Sequence, residues 1–144
     1  MMSGCRHLLL AVLLTSALPA YGRALNPCQW LGAGDFEAAG LRQGKPRLGS
    51  GAHGPECTWS PVLGSGGFLT ARIIGPKDFE RRKARMKTMT PLEGLADEAI
   101  LYKAAAGWAL MLRKGETFVI IDGNAMLTRE KLEPLGRAVA AKLP

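Results

Sequence analysis

The chain has little of what the familiar enzyme classes are built from. It carries 2 histidines, 3 cysteines and 6% aromatic residues in 144 positions. His7 and Cys5 fall in the apolar N-terminal stretch, which leaves His53, Cys28 and Cys57 for the body of the chain. A structural zinc site needs four ligands and a catalytic one usually three, so no metal is expected. There is no G-x-S-x-G nucleophile elbow and no phosphate loop ending in G-K-[ST]. Gly49-Ser50-Gly51-Ala52-His53-Gly54 matches G-x-G-x-x-G in letters only, because Pro55, Glu56 and Cys57 after it read as the start of a strand and not of a helix. Asp97 and Glu98 are adjacent, so they diverge on a strand or a helix alike and make a poor acid–base pair. One of them is expected to cap or salt-bridge at the start of the next strand. No catalytic residue and no cofactor is assigned, and the chain reads as a non-enzyme; a small hydrolase with a carboxylate-based site is the alternative.

Long apolar runs are scarce too. Leu8 to Leu14 is nearly unbroken but falls short of the roughly 20 apolar residues a spanning helix needs, and no later stretch approaches that length. With the weakly basic start Met1 to Arg6 and the small residues Ala20, Gly22 and Ala24, residues 1–24 read as a secretory signal peptide, cleaved after Gly22 or after Ala24. The remainder, 25–144, has room for one domain, expected to be soluble, with no transmembrane span, in the periplasm or outside the cell. Cys28 follows the apolar segment as a lipid-attachment cysteine would, but Asn26-Pro27 before it are not the small residues that attachment uses.

Two cysteines in an oxidising compartment make one Cys28 to Cys57 disulfide the economical reading, with two free buried thiols as the alternative. Charge is unbalanced: 19 basic against 12 acidic residues give +7, and a leader that takes Arg6 and Arg23 with it leaves 17 against 12, or +5. Such a surface favours acidic surroundings without naming one.

The richest β-forming stretch runs from Trp108 to Asp122. It reads as two strands joined across Arg113, Lys114, Gly115 and Glu116, with glycine free to take positive φ. Trp108, Leu110 and Leu112 alternate with Ala109 and Met111, and Phe118 and Ile120 alternate with Val119 and Ile121, so both faces of this hairpin need cover. Upstream, Asn26-Pro27 can cap a helical turn over Cys28 to Leu31, and Asp35 can cap a second piece that stops at Gly40. Gly44 to Gly54, rich in glycine and broken by Pro46, reads as an exposed loop with at most a short strand near Arg47 to Leu48. Glu56 to Ser60 and Gly67 to Ile74 read as a strand pair. Thr90-Pro91 starts a connection to a strand over Ile100 to Lys103, and Thr128 can cap a final helix to Lys142 whose Leu132, Leu135, Val139 and Leu143 share a face. Pro134 inside it should bend it or set its first turn apart.

Between the strand pair and that connection, Pro76 opens a helix to about Thr88. It carries Arg81, Arg82, Lys83, Arg85 and Lys87, more positive charge than a narrow stripe of Phe79, Met86 and Met89 needs for packing. At 100° per residue Arg81, Arg85 and, less closely, Arg82 occupy neighbouring ground, so they form the candidate contact with an anionic surface. The bland reading is a solvated face with the stems lying on the sheet. Outside the cytoplasm nucleic acid is not the expected partner; anionic lipid headgroups or acidic envelope polymers are. Trp30, Trp59 and Trp108 could line a groove, but tryptophans beside cysteines in a small domain usually pack on the disulfide and the core.

Asn26-Pro27-Cys28-Gln29-Trp30-Leu31, Pro55-Glu56-Cys57-Thr58-Trp59, Gly94-Leu95-Ala96-Asp97-Glu98-Ala99 and Leu112-Arg113-Lys114-Gly115 together resemble small secreted bacterial domains of unknown function, best known as actinobacterial lipoproteins. The resemblance implies a paired Cys28 and Cys57 and a fold similar to that of photosystem extrinsic proteins, a curved antiparallel sheet flanked by helices. It implies no active site, and the lipid-attachment cysteine is missing here. The element order agrees with an α+β domain built on an antiparallel sheet of about five strands, one face covered by the final helix. The expected role is a non-enzymatic binding or accessory module whose ligand the sequence does not name.

Overall fold

The computed structural model describes residues 25–124 and 127–144. The expected leader, 1–24, lies outside them. A 3-10 turn, Pro27–Gln29, begins the described chain, with Asn26 Oδ1 accepting from the Cys28 amide as an N-cap does. Helix α1, Ala33–Ala38, follows. Asp35 is not its cap: it stands at the third helical position and its carboxylate accepts from the Gly32 N–H behind it, which makes Gly32 the N-cap residue. Gly40, at φ 67°, ends the helix as expected.

Seven strands then form one antiparallel sheet: β1 (Lys45–Gly51), β2 (Gly54–Ser60), β3 (Leu69–Ile74), β4 (Met89–Pro91), β5 (Glu98–Ala104), β6 (Gly107–Lys114) and β7 (Thr117–Gly123). Helix α2 (Pro76–Arg85) connects β3 to β4 and α3 (Arg129–Lys142) ends the chain. The sheet is open, in the order β1-β2-β3-β7-β6-β5-β4, so the fold is α+β with seven strands where the sequence suggested about five.

The two additional strands are the two edges. The expected loop over Gly44 to Gly54 is instead the full-length strand β1, paired residue for residue with β2 from Lys45↔Ser60 to Gly51↔Gly54. Its outer side has no neighbour among the described residues, which is why Pro46, lacking an N–H, and three glycines or serines are tolerated there. Leu48, 57% exposed, shows that β1 is held by its ladder and not by burial. At the other edge β4 takes up Thr90-Pro91, pairing with Leu101 and Ile100.

The central hairpin is as the alternation required. Lys114 pairs with Thr117 across a two-residue turn in which Gly115 takes φ 56°. Leu110, Leu112, Val119 and Ile121 enter one core, with Leu132, Leu135 and Val139 of α3, Phe36 of α1, and Trp30 and Trp59. Ala109, Met111 and Ile120 enter a second, smaller core with Phe79 of α2. Cys28 and Cys57 form a disulfide that ties the 3-10 turn to β2 at a separation of 29 residues. A loop of that length is worth about 3–4 kcal/mol through the unfolded chain's lost entropy.

Helix α3 runs through Pro134 as a single element. It lies close on β6: a Cβ added at Gly136 would stand 2.2 Å from Leu110 Cδ2. Its C-terminal carbonyls are bound from outside, Lys114 Nζ donating to Ala140 O at 3.0 Å and to Leu143 O at 2.9 Å, where a cation also meets the negative end of the helix dipole.

Candidate functional site

The α3 face of the sheet is filled by apolar side chains, so the polar chemistry gathers on the α2 face. Helix α2 starts from Gly75 in extended conformation with Pro76 in its first turn. Phe79 is its one buried residue, packed edge-to-face on Phe118 of β7 with ring centroids 5.2 Å apart. A helix held by one aromatic leaves room on both sides of it. Toward β5 lies a cleft of about 810 Å³ bordered by Asp78, Arg81, Arg82, Arg85, Met86, Lys87 and, across from them, Tyr102, Ala104 and Ala105. Toward β3 lies a smaller one of about 280 Å³, bordered by His53, Glu56, Arg72, Asp78, Arg81 and Arg82.

The helix is shorter than expected, ending at Arg85, because Met86 turns extended (φ −76°, ψ 121°) to lead into β4. That bend carries Lys87 off the helix and still leaves it on the larger cleft. The three arginines singled out by helical spacing, Arg81, Arg82 and Arg85, all border this cleft. They are not equivalent. Arg81 and Arg82 both donate to Asp78, one to each carboxylate oxygen, Arg82 Nε at 3.1 Å. Arg85 and Lys87 have no carboxylate within 4.0 Å among the described residues. Lys103 also borders the cleft, but strand alternation gives it to the opposite face with Leu101.

Asp78 is the hinge of this electrostatic arrangement. Its side chain is only 12% exposed, and the hydrogen bond from Arg81 holds its carboxyl below the ordinary range against the opposing effect of burial, with Arg82 adding to it. Burial works to lower the Arg82 guanidinium, yet Asp78 and the Tyr102 hydroxyl beside it raise it on balance. Burial raises the Tyr102 phenol, the Arg82 charge acting in the opposite sense.

A polar row continues across the sheet on the same face. Arg47, Thr58, Thr70 and Asp122 stand in register on β1, β2, β3 and β7, and the Thr58 and Thr70 hydroxyls are 3.1 Å apart. Arg72 forms an ion pair with Asp122. Burial pushes the Asp122 carboxyl up; Arg72 and Arg82 pull it down and Glu56 adds to the rise.

The other acids raised by sequence are structural. Asp97 Oδ2 accepts from the Gly115 N–H at 2.6 Å and so braces the central turn, while Glu98 accepts from Lys83 and lies 3.6 Å from Arg113 Nε. Glu98 pairs with Arg113 and Arg113 with Phe118, four residues before Asp122. At ~3.3 Å per residue that is roughly 13 Å along the sheet, so these acids do not share one site. His53 is exposed in the turn between β1 and β2, its ring against Gly75, and Gly49, Gly51 and Gly54 belong to that hairpin and not to a strand-to-helix turn. No group of three or more His, Cys, Asp or Glu side chains converges as metal ligands among the described residues. Trp30 and Trp59 are buried and Trp108 packs against the same core, so none of them borders a cleft.

Spacing in the sequence could have found Asp78, since it stands three and four residues before Arg81 and Arg82. No local signal marks Tyr102, which reaches the cleft only through the pairing of β5 with β6. No family model matches the chain, and neither a curated protein nor a solved structure matches it.

Proposed function

We propose that this protein is a non-enzymatic binding module of the periplasm or the extracellular space that engages anionic envelope surfaces, lipid or acidic polymer, through its α2 face. The observation that carries the reading is the convergence of Arg81, Arg82, Arg85 and Lys87 on one cleft against a single acid, Asp78. Part of that charge serves the helix itself: Arg82, Lys83 and Arg85 fill its last turn, where cations offset the dipole. Lys87, beyond the helix, serves no such need, and both Arg85 and Lys87 lack an acidic partner among the described residues and face an open cleft. The disulfide agrees with an oxidising compartment. The resemblance to small secreted bacterial domains, and the curved sheet it implies, belong to this proposal. No helix among the described residues is long and apolar enough to cross a membrane, so on this reading contact with a bilayer is peripheral.

Each basic group near an anionic surface contributes up to about 1 kcal/mol, screened beyond roughly 10 Å. The purified protein should therefore cosediment with anionic vesicles at low salt, weakly at physiological salt, and not with neutral ones. Changing Arg81, Arg82 and Arg85 together to Gln should abolish this. Binding untouched by the triple change, or none at low salt, would sink the reading.

A carboxylate-based hydrolase is the second reading. Asp78 is held low and Asp122 pushed up, the kind of divergence that acid and base partners show. Asp122, however, borders neither cleft. Turnover of an ester, glycoside or peptide that vanishes in Asp122→Asn would move the protein into that class.

A further inference from the structure

The larger cleft has two chemically different parts. Its rim holds Arg81, Arg82, Arg85 and Lys87, while Met86, Tyr102, Ala104 and Ala105 give it an apolar side, Tyr102 and Met86 being continuous with the smaller core under α2. Its volume, about 810 Å³, is that of a site for one small molecule, in the usual range of roughly 300–1,000 Å³. A flat patch for a polymer would not need the apolar wall. The rim guanidinium pair already has an anion, supplied by the protein: Asp78 takes one donor from each.

We infer that this cleft binds one phosphate-bearing amphiphile, its phosphate among Arg81, Arg82, Arg85 and Lys87 and its apolar part against Tyr102 and Met86, and that Asp78 is an internal counter-anion which the phosphate displaces. The inference rests on the anionic-surface reading above and narrows it from a surface to a single ligand. A phosphate suits the site because guanidinium groups bind its oxygens in bidentate pairs, and because a tetrahedral anion can meet four donors at once where a carboxylate offers two oxygens. The Tyr102 hydroxyl, beside Arg82 and kept protonated by its burial, is placed to add a donor. Asp78 has the position of a stand-in, since it borders both clefts and its carboxylate bridges two arginines that do the same, Arg81 and Arg82. Without it, Arg81 and Arg82 would lose the acid they are hydrogen-bonded to in the empty protein.

The chemistry could come from a lipid headgroup or a soluble phosphate, and titration calorimetry at low salt separates them. The purified protein is titrated with dihexanoyl phosphatidic acid below its micelle concentration, with dihexanoyl phosphatidylcholine, and with inorganic phosphate. The phosphatidic acid, an anionic phosphomonoester, should saturate one site per chain and bind more tightly than inorganic phosphate, and the choline lipid, whose single phosphate charge is neutralised by its own ammonium, should bind much more weakly. Arg85→Gln and Lys87→Gln, at exposed positions, should each weaken it several-fold with an unchanged circular dichroism spectrum. Asp78→Asn should tighten it by about threefold to fivefold, the worth of one partly solvated ion pair. Glu80→Gln makes the same charge change on the same helix outside the cleft and should alter affinity less than about twofold. Should the Asn variant not fold, the Arg82 Nε–H resonance of the wild-type protein serves instead, and it should shift at saturation as its Asp78 bond is exchanged.

Equal affinity for phosphatidic acid and inorganic phosphate would remove the apolar contact from the proposal. Asp78→Asn binding no better than Glu80→Gln, or an Arg82 Nε signal that does not move, would end the counter-anion role. Anionic vesicles that bind while the short-chain lipid does not would overturn the single-ligand site and leave the surface reading standing. If neither binds, both fail.

Discussion

Asp78 and Asp122 lie on the same face of the sheet and make opposite contributions to stability. The folded carboxyl of Asp78 is held low, chiefly by Arg81, so it contributes stability that is fully present above the ordinary carboxylate range and is lost as pH falls through the folded value. Asp122 is pushed up, chiefly by burial, so its ionised form is a cost at neutral pH that is relieved as pH falls through the raised value. Asp78→Asn should therefore lose up to about 1 kcal/mol at pH 7, its arginine partners being partly solvated, and the loss should shrink as pH falls below the ordinary carboxylate range. Asp122→Asn should cost less at pH 7, because removing a penalised charge offsets the lost pairing with Arg72, which at 33% exposed can be hydrated. Urea unfolding of the oxidised protein at both pH values checks this. Equal losses for the two variants at pH 7 would contradict it. Together with the tighter phosphate binding expected of Asp78→Asn, the same substitution should trade stability for affinity, as a counter-anion requires.

At the scale of elements, what could be read from sequence follows from where the specifying contacts lie. The β6–β7 hairpin was legible because its pattern is local: two apolar alternations around a glycine, each face answered by a helix. The basic face of α2 was legible for the same reason, by helical spacing. Strand β1 was not, because its exposed residues carry no period and its glycines and proline signal a loop; it is specified by pairing with β2, which no local reading contains. Strand β4 is three residues long and its proline reads as a connection, while α2 ends at Arg85, short of Thr88, because the chain turns at Met86 to reach that edge. The cleft lies between the end of α2 and the end of β5, so its arginines were visible by helical spacing, while its apolar wall, brought there by strand pairing, was not. Helix α3 offers a test in which local and tertiary rules give opposite signs. By propensity alone Gly136→Ala should stabilise a helix by about 1 kcal/mol. Against β6 the new methyl meets the wholly buried Leu110, and overpacking costs about 1–3 kcal/mol. A net loss is expected in urea unfolding; a gain would mean that α3 rides more loosely on the sheet than its contacts imply.

Taken whole, the molecule is a sheet sealed on one face and half covered on the other. On the α3 side, Leu110, Leu112, Val119 and Ile121 are wholly buried under a helix of 14 residues with five buried positions, and the disulfide fastens the N-terminal turn to the same layer. On the α2 side a 10-residue helix is anchored by Phe79 alone, with a cleft on either flank. Ion pairs from Lys83 to Glu98 and from Arg82 to Asp78 add little to that anchor, being partly solvated. Two levels of local stability follow, since the free energy needed to open a segment tracks the apolar contacts it must break. Amide hydrogens of α2 should exchange through a local opening at least about 2 kcal/mol below the one that releases β6 and β7. Phe79→Ala should cost about 3–5 kcal/mol for the cavity and carry α2 to near-complete exposure, with the strands of the central hairpin still protected. Hydrogen exchange read by mass spectrometry resolves the two regions. Protection of α2 equal to that of β6 and β7 would show that the helix belongs to the global folding unit. If the lower level is found, saturating short-chain phosphatidic acid should raise α2 and leave the hairpin unchanged, because a ligand that bridges α2 to the end of β5 stabilises the opening it must close and no other.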